Sequence, residues 1–407
     1  MASEQGAVLT DGSADLALLL NLIRAGDART RPELARISGL GRTAVSRRLG
    51  LLVDAGLVSE GELGPSTGGR APRRLHFHAD VGLLAVAELG ATSVAVGVAD
   101  VNGELLATDE QPWDISRGPE STLERTIDML EPLIAAHHAP LWGVGLGLPG
   151  PVEFATGRPI SPPIMPGWNQ FPVCETLAAR LHAPVWADND VNVLALGELR
   201  VGHARGERDV IYVKIGTGIG AGIISDGHLY RGAQGCAGDI GHIQATDDPT
   251  VICRCGQVGC LEALAGGAAL ARQAQLVLAE GRSPYLAAHV APAQAPDSAD
   301  VISGAQSGDA VCVELLNEAA ERVGDVLATL VSFYNPSLLV IGGRLSAAGD
   351  GFLAAIRQRI YQRSLPLATR DLRIVFSALG HRGGLVGAAA MTVDQLLRPE
   401  ALQRLVS

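Results

Sequence analysis

The stretch Gly238-Asp239-Ile240-Gly241-His242, followed by Cys253-Arg254-Cys255, Gly256, Gly259 and Cys260-Leu261-Glu262, constrains this chain more than any other. It gathers three of the six cysteines and a histidine into a short segment. His242, Cys253, Cys255 and Cys260 have the residue types and close spacing of a closed, structural four-ligand zinc site, and Gly256 and Gly259 permit the tight loop that a thiolate cage needs. The simpler alternative is a chance cluster of three thiols. A closed cage fixes a loop and performs no chemistry. Because Asp239, His242 and Glu262 flank it, the metal is expected to hold a polar pocket in shape, with His242 oriented through its second ring nitrogen.

A chain of 407 residues exceeds one ordinary core and points to two or three domains. Cys174, Cys236 and Cys312 lack evident partners, and no hydrophobic leader occupies Met1 to Thr10, so a reducing, cytoplasmic setting is expected. No apolar run approaches the roughly 18 residues of a membrane span.

The net charge is -11, but its distribution is uneven. The segment from Arg24 to Arg74 holds ten arginines against five acids, so it carries +5 and the remainder -16. An arginine-rich head on an acidic body is the electrostatic footprint of a DNA-binding module joined to something else. Leu16, Leu19, Leu20 and Ile23 recur at helical spacing, and Thr30-Arg31-Pro32-Glu33 has a capping-box pattern that opens a second helix through about Ser38. Gly39 and Gly41 break it. A third helix, from about Arg42 to Ala55, places Val45, Leu49 and Leu52 on one face and Thr43, Ser46 and Arg47 on the other.

This order is a helix-turn-helix, and Ser59 to Arg74, with Pro65-Ser66-Thr67-Gly68-Gly69-Arg70 at its tip and Leu75 and Phe77 returning, reads as its wing. The plainer alternative is a three-helix domain with a solvated arginine face. As a DNA reader, the head would place Arg42 and Arg47 against guanine edges, Thr43 or Ser46 against bases or phosphate, and Arg70 against the backbone or minor groove. A double-stranded, near-palindromic operator and a homodimer, or a dimer of dimers, are the expected partners.

The body begins near Asp80 and repeats itself faintly. Glu88-Leu89-Gly90-Ala91-Thr92, a strand and Asn102-Gly103 are echoed by Lys214-Ile215-Gly216-Thr217-Gly218, a strand and Asp226-Gly227. Helices are expected at about Thr122 to His138, Val191 to Arg200, Ala263 to Leu278 and Val311 to Phe333, with a last one at about Val386 to Leu397 packing back across the lobes. Pro284 to Asp300 reads as an Ala/Pro-rich loop. Two similar α/β lobes facing each other imply a cleft.

The Gly238 to Glu262 segment resembles the signature of the ROK family of sugar kinases and sugar-responsive repressors, and the Thr-Gly-Gly-Arg-Ala-Pro wing resembles the winged heads of ROK repressors. The resemblance implies an α/β, two-lobed, actin-like (ribonuclease-H-like) fold for residues 79–407 behind a winged helix-turn-helix at 1–78. The first lobe would cover about 80–205 plus a C-terminal helix at about 386–400, and the second about 206–385. It further implies that Asn189, Asp190, Asp239, His242, Glu262 and the turn at Gly150 hold a sugar, with Asp190 the general base if phosphoryl transfer occurs. For Asn189 and Asp190 the local alternative is an Asx-rich helix cap, and for Gly150 an ordinary turn.

The family's phosphate loops correspond to Glu88, Gly90 and Thr92, to Gly216, Thr217 and Gly218, and to Gly342 and Gly343. The first departs from the Asp-x-Gly-Gly-Thr of active kinases, since Glu88 adds a methylene and Ala91 a methyl group. ATP and Mg2+ are therefore not expected as cofactors, whereas structural Zn2+ is. Asp239 also stands where the family usually has glutamate. The favoured expectation is a sugar-responsive transcription factor, a repressor of carbohydrate uptake or catabolism genes. The alternatives are a ROK sugar kinase that also binds DNA and a DNA-binding scaffold that has lost its ligand.

Overall fold

The computed structural model describes residues 11–63 and 72–406. The wing tip, including Arg70, lies outside the described residues.

In the head, α1 (Asp11–Ala25), α2 (Arg31–Ser38) and α3 (Arg42–Asp54) surround a core of Leu16, Leu19, Leu20, Leu34, Val45, Leu49 and Leu52. The Thr30 side chain caps α2 by accepting from the Glu33 N–H, but the Glu33 carboxylate accepts from the Arg29 N–H at 2.8 Å rather than from Thr30. The expected reciprocal box is thus displaced by one residue. Gly39 ends α2 in the left-handed conformation (φ 73°), a turn that a residue with a Cβ adopts only at a cost. The strands β1 (Val58–Leu63) and β2 (Arg73–Phe77) form an antiparallel hairpin, and the Leu75 N–H donates to Arg29 O at 2.8 Å, tying the wing to α2. Arg31 pairs with Glu60 and donates to Ser46 Oγ at 3.1 Å, so α2, α3 and β1 are cross-linked.

The body contains two sheets of the same construction. In the first, the meander β3 (Leu83–Leu89), β4 (Ser93–Asp100) and β5 (Leu105–Pro112) is extended by the parallel strands β6 (Leu141–Leu148) and β9 (Val185–Asn189), in order β5-β4-β3-β6-β9. The helix α4 (Pro119–Ala135), a short ladder of β7 (Val152–Glu153) with β8 (Arg158–Pro159), and α5 (Val173–Leu181) complete this half, followed by α6 (Asp190–Val201). The second sheet repeats the plan with β10 (Val210–Ile215), β11 (Ile219–Ser225), β12 (His228–Tyr230), β13 (Leu338–Gly342) and β14 (Arg373–Phe376), in order β12-β11-β10-β13-β14. Its helices are α7 (Leu261–Ala265), α8 (Gly267–Ala279), α9 (Pro284–His289), α10 (Ser298–Gln306), α11 (Ala310–Tyr334), α12 (Asp350–Arg363) and α13 (Pro366–Thr369). The duplicated sheets are the actin-like, ribonuclease-H-like arrangement. The chain closes with α14 (Gly383–Leu396) and α15 (Pro399–Leu405).

Several expectations are corrected. The helix expected at Ala263 to Leu278 is two helices, because Gly266 is extended (ψ 161°) and lets α8 start at the second glycine loop, where the Gly267 N–H donates to Gly216 O at 2.7 Å. The expected loop at Pro284 to Asp300 holds α9 and the start of α10, whose cap is a true capping box between Asp297 and Asp300. The closing helix begins three residues early, at Gly383, and ends at Leu396, with the separate α15 beyond it.

One apolar cluster runs without a break from the head into the body. It joins Leu16, Leu20 and Leu49 to Leu84 and Val86 of β3, Val193 and Leu196 of α6, Ala388 and Leu396 of α14 and Leu402 of α15. The opposite face of α6, with Val191, Leu194 and Ala195, packs on Val210, Tyr212, Ile224 and Val340 of the second sheet. α6 therefore lies between the sheets. It also meets α14 backbone to backbone: a Cβ at Gly387 would stand 1.7 Å from Val193 O. Overpacking of this kind typically costs about 1–3 kcal/mol, and more where backbone must move. Gly387→Val is expected to lower stability by at least that amount, measured by urea denaturation; an unchanged midpoint would show that the helices separate freely.

Candidate functional site

Between the two sheets lies a cavity of about 290 Å3, lined from both halves of the body. On one side the junction of β9 and α6 supplies Asn189 and Asp190 to the wall, with Asp188 buried behind them. Asn189 is the N-cap of α6: its Oδ1 accepts from the N–H groups of Val191 (3.0 Å) and Asn192 (3.4 Å), and its Nδ2 donates to Gly150 O at 2.7 Å. The local capping reading therefore holds in full, leaving one Nδ2 hydrogen for a ligand. Asp188, fully buried, accepts from the Asn189 N–H at 2.8 Å, from Asn192 Nδ2 at 2.9 Å and from Arg231 Nε at 2.7 Å. The Arg231 guanidinium lies over the Phe154 ring at 3.8 Å, so this pair also pins the turn carrying Asn189 and Asp190.

Asp190 faces an unanticipated partner. Lys214, projecting from the otherwise apolar β10, donates to Asp190 Oδ2 at 2.6 Å and stands 3.6 Å from Glu88 Oε1. Burial is the largest influence on the ammonium and pulls its pKa down, but Asp190 and Glu88 outweigh it and hold Lys214 above the usual lysine range. Burial pushes the Glu88 carboxyl up, against the pull of Lys214. One cation thus serves two carboxylates at the base of the cleft. The signal in the sequence was a lone lysine in Val210-Ile-Tyr-Val-Lys-Ile215.

The glycine loops are largely occupied with themselves. The Gly90 N–H donates to Ser93 O (2.8 Å), the Gly216 N–H to Gly218 O (2.9 Å), and the Ile219 N–H to Glu262 Oε2 (3.0 Å). Glu88, Gly90, Thr92, Gly216, Thr217 and Gly218 line the cleft, whereas Gly342 and Gly343 do not. Their lack of side chains answers to packing, since a Cβ at Gly342 would fall 1.9 Å from the Tyr212 hydroxyl and one at Gly343 2.5 Å from Ile215 O. The side chain of the next residue, Arg344, does reach the cleft, within 3.5 Å of Thr92 Oγ1 across it.

Opposite Asp190 stand Asp239, His242 and Glu262. The ligating atoms of His242, Cys253, Cys255 and Cys260 all lie within 4.8 Å of one another. His242 Nδ1 is 3.6 Å from Cys253 Sγ, and Cys255 Sγ is 3.7 Å from Cys260 Sγ. A tetrahedron of Zn–S bonds has edges of about 3.8 Å, so both the donor set and its spacing fit zinc. Burial, then the neighbouring thiols, push the Cys260 thiol up to about 12, and burial raises Cys253 as well. A cation is what would let these sulfurs ionise together. His242 Nε2, facing away from the cysteines, is 3.8 Å from Asp239 Oδ1, so a metal on Nδ1 would fix a ring edge that points into the cleft.

In the head, Arg42, Thr43, Ser46 and Arg47 are exposed on one face of α3. Ser46 already accepts from Arg31, whereas Arg48 turns inward and pairs with Asp15 of α1. The structure therefore separates Arg48 from its neighbours as a packing arginine.

Comparison with known proteins bears on both parts. The ROK family profile matches residues 84–395, and a MarR family profile matches residues 12–69. The xylose repressor of Caldicellulosiruptor bescii is 32% identical over 93% of this chain and 95% of its own length. Among solved structures, a ROK family transcriptional regulator homologous to the E. coli MLC protein superposes with a TM-score of 0.83 over 97% of this chain and 98% of its own, at 24% identity. A ROK family glucokinase from Streptomyces griseus, solved with glucose and AMPPNP, superposes with a TM-score of 0.67 over 77% of this chain and all of its own, at 30% identity.

Replacing Lys214 by methionine leaves Asp190 and Glu88 facing each other without a counterion. Breaking a buried pair from one side typically costs about 3–5 kcal/mol. Lys214→Met is expected to lose stability of that order at pH 7.5. Carboxyls whose folded pKa is raised destabilise the fold above that value and cease to do so once protonated in both states. The deficit should therefore shrink as pH falls through the raised value of Glu88 toward that of the unfolded chain. Guanidinium denaturation at pH 7.5 and pH 5 measures this; an equal deficit at both would show that the carboxylates are not the cause.

Proposed function

The chain belongs to the ROK family, and on that premise we propose that it is a sugar-responsive, DNA-binding transcriptional repressor, with the sugar held between the lobes beside a structural zinc. The observation that carries this reading is a winged head with an exposed arginine-bearing helix whose core continues into the walls of a cleft of monosaccharide size. Residues 1–78 form the DNA-binding unit and 79–407 the sensor, with α14 closing the first lobe. Arg42 and Arg47 read base edges and Thr43 and Ser46 contact bases or phosphate, while Arg70 serves the wing. Two copies bind a near-palindrome.

The free Nδ2 hydrogen of Asn189 and the carboxylates of Asp190, Asp239 and Glu262 hold sugar hydroxyls against the Gly150 turn, while His242, fixed by zinc through Nδ1, offers Nε2. Zinc shapes this wall and takes no part in chemistry. The related xylose repressor spans both parts of this chain, which supports the reading. A second reading, a sugar kinase that also binds DNA, draws on Asp190 and the Gly216 to Gly218 loop facing the cleft and on the glucokinase solved with glucose and AMPPNP. Against it, Lys214 already engages the carboxylate that would act as base, and the loop N–H groups of Gly90 and Gly216 are spent internally. Sugar-dependent ATP hydrolysis by the purified protein would restore this alternative.

Selection of genomic fragments by the purified protein, with and without a panel of sugars, tests the proposal. Enrichment of a near-palindrome that one sugar abolishes is expected; no enrichment under any condition overturns it. Arg47→Ala should weaken operator binding by about 10- to 100-fold, the worth of one good base contact, and leave sugar affinity unchanged in calorimetry. Metal analysis is expected to find one zinc per wild-type chain, and Cys255→Ser should lose it and have a lower melting temperature. A mutant that is metal-free yet fully sugar-responsive would show the cage to be dispensable.

A further inference from the structure

We propose that α6 and α14 move as one unit that couples the cleft to the DNA-binding head, with the Lys214 ion-pair cluster at one end and Arg24 at the other. The inference rests on the sugar-responsive reading above and specifies its regulation.

Both helices begin at the cleft. Asp190 is the first residue of α6, and Glu88 lies against the first turn of α14, where a Cβ on Gly384 would stand 1.8 Å from Glu88 Oε2. Lys214 of the second sheet faces both carboxylates at once. Both helices also run in the same direction, because Arg200 near the end of α6 pairs with Asp394 near the end of α14 at 2.6 Å. Between these ends the helices touch through glycine: Gly387 faces Val193 O, and a Cβ at Gly197 would be 2.7 Å from Gly383 O. With no side chains to re-pack at these points, a shift of one helix displaces the other.

The far end, roughly 18 Å away by helical rise over twelve residues, meets the head. Arg24, in the last turn of α1, has its pKa lowered by burial first and then by Arg200, while Asp394 raises it. Its Nε is buried without a hydrogen-bond partner among the described residues. This partly satisfied guanidinium feels a repelling charge from the end of α6 and an attracting one from the end of α14, so a shift of those ends alters its energy. α15, which follows α14, packs on α1 through Leu402, within the shared core.

A sugar hydroxyl that donates to Asp190 competes with Lys214 for the same carboxylate. Loosening that tie removes the charged hold of the second sheet on the start of α6 and leaves the apolar contact of Val191 and Ala195, over which the helix pair re-seats against Arg24 and α1. The coupling requires only that the sugar favour one seating over the other.

The test uses the full-length protein and an operator duplex that it selects itself. Operator affinity is titrated with and without D-xylose, D-glucose and N-acetylglucosamine for wild type, Arg24→Gln and Asp394→Asn. Allosteric couplings commonly lie at about 5- to 150-fold. The wild-type ratio of operator Kd values is expected in that range with one sugar, and both variants should bring it within about twofold of unity. Their sugar affinity in the absence of DNA, by calorimetry, should stay within about threefold of wild type. A full wild-type ratio in both folded variants overturns the inference and leaves the function standing. Should Arg24→Gln fail to fold, Asp394→Asn and Arg200→Gln decide it, since neither residue belongs to the head. A wild type whose operator affinity none of these sugars moves removes the functional reading and the inference with it.

Discussion

A single ammonium group, Lys214, stands where three parts of the body meet. It reaches from the second sheet to Asp190 at the start of α6 and to Glu88, which lies against the start of α14. Neither carboxylate would tolerate this degree of burial beside the other without a counterion. The lysine therefore sets the local charge balance and the registration of the two lobes. It also occupies Asp190, so the same interaction that ties the lobes together bears on what that carboxylate can offer to the cleft.

The remaining cross-cleft ties have the same character. Arg231 joins Asp188 to the Phe154 ring, and Arg344 reaches Thr92. Each is polar and lies at or beside the cavity. The apolar contact between the halves is concentrated on α6, whose opposite faces meet different sheets. A body tied by a few charged contacts around one shared helix is suited to small changes of seating: ion pairs re-form at new distances, while the packed helix moves as a solid.

The head does not hang on a loose linker. Its core is continuous with β3, α6, α14 and α15, and the wing strand is hydrogen-bonded to the residue before the α2 cap. Under the proposed function, such an attachment would carry a change in the cleft to the head through packed side chains, without a linker to order. The orientation of the head is set by the same side chains that pack the first lobe.

Much of this was legible in the sequence because it is local. The zinc-type cluster, the arginine-rich head, the three head helices with their buried Val45, Leu49 and Leu52, and the duplicated strand-glycine-strand pattern all rest on spacing within a few residues. The family resemblance then supplied the lobed architecture. What spacing cannot express was decided in three dimensions. Thr30-Arg31-Pro32-Glu33 reads as a reciprocal box, but the Glu33 carboxylate accepts from the Arg29 N–H instead, while the Arg29 carbonyl accepts from Leu75 of the wing. Gly342 and Gly343 read as phosphate glycines, and the fold adds a packing reason for them that spacing does not show, the closeness of the Tyr212 hydroxyl and the Ile215 backbone. Gly266 breaks a helix that looks continuous because α8 must begin at the loop of Gly216. Lys214 appears as one misplaced charge in an apolar strand, and its role exists only because β10 carries it to two acids that are 24 and 126 residues away in the chain. The sequence alone determined which local elements could form and which donors were available. Only the tertiary structure decided which charges must share a buried space, because the energy of that pairing depends on distance and burial, and neither is a property of sequence separation.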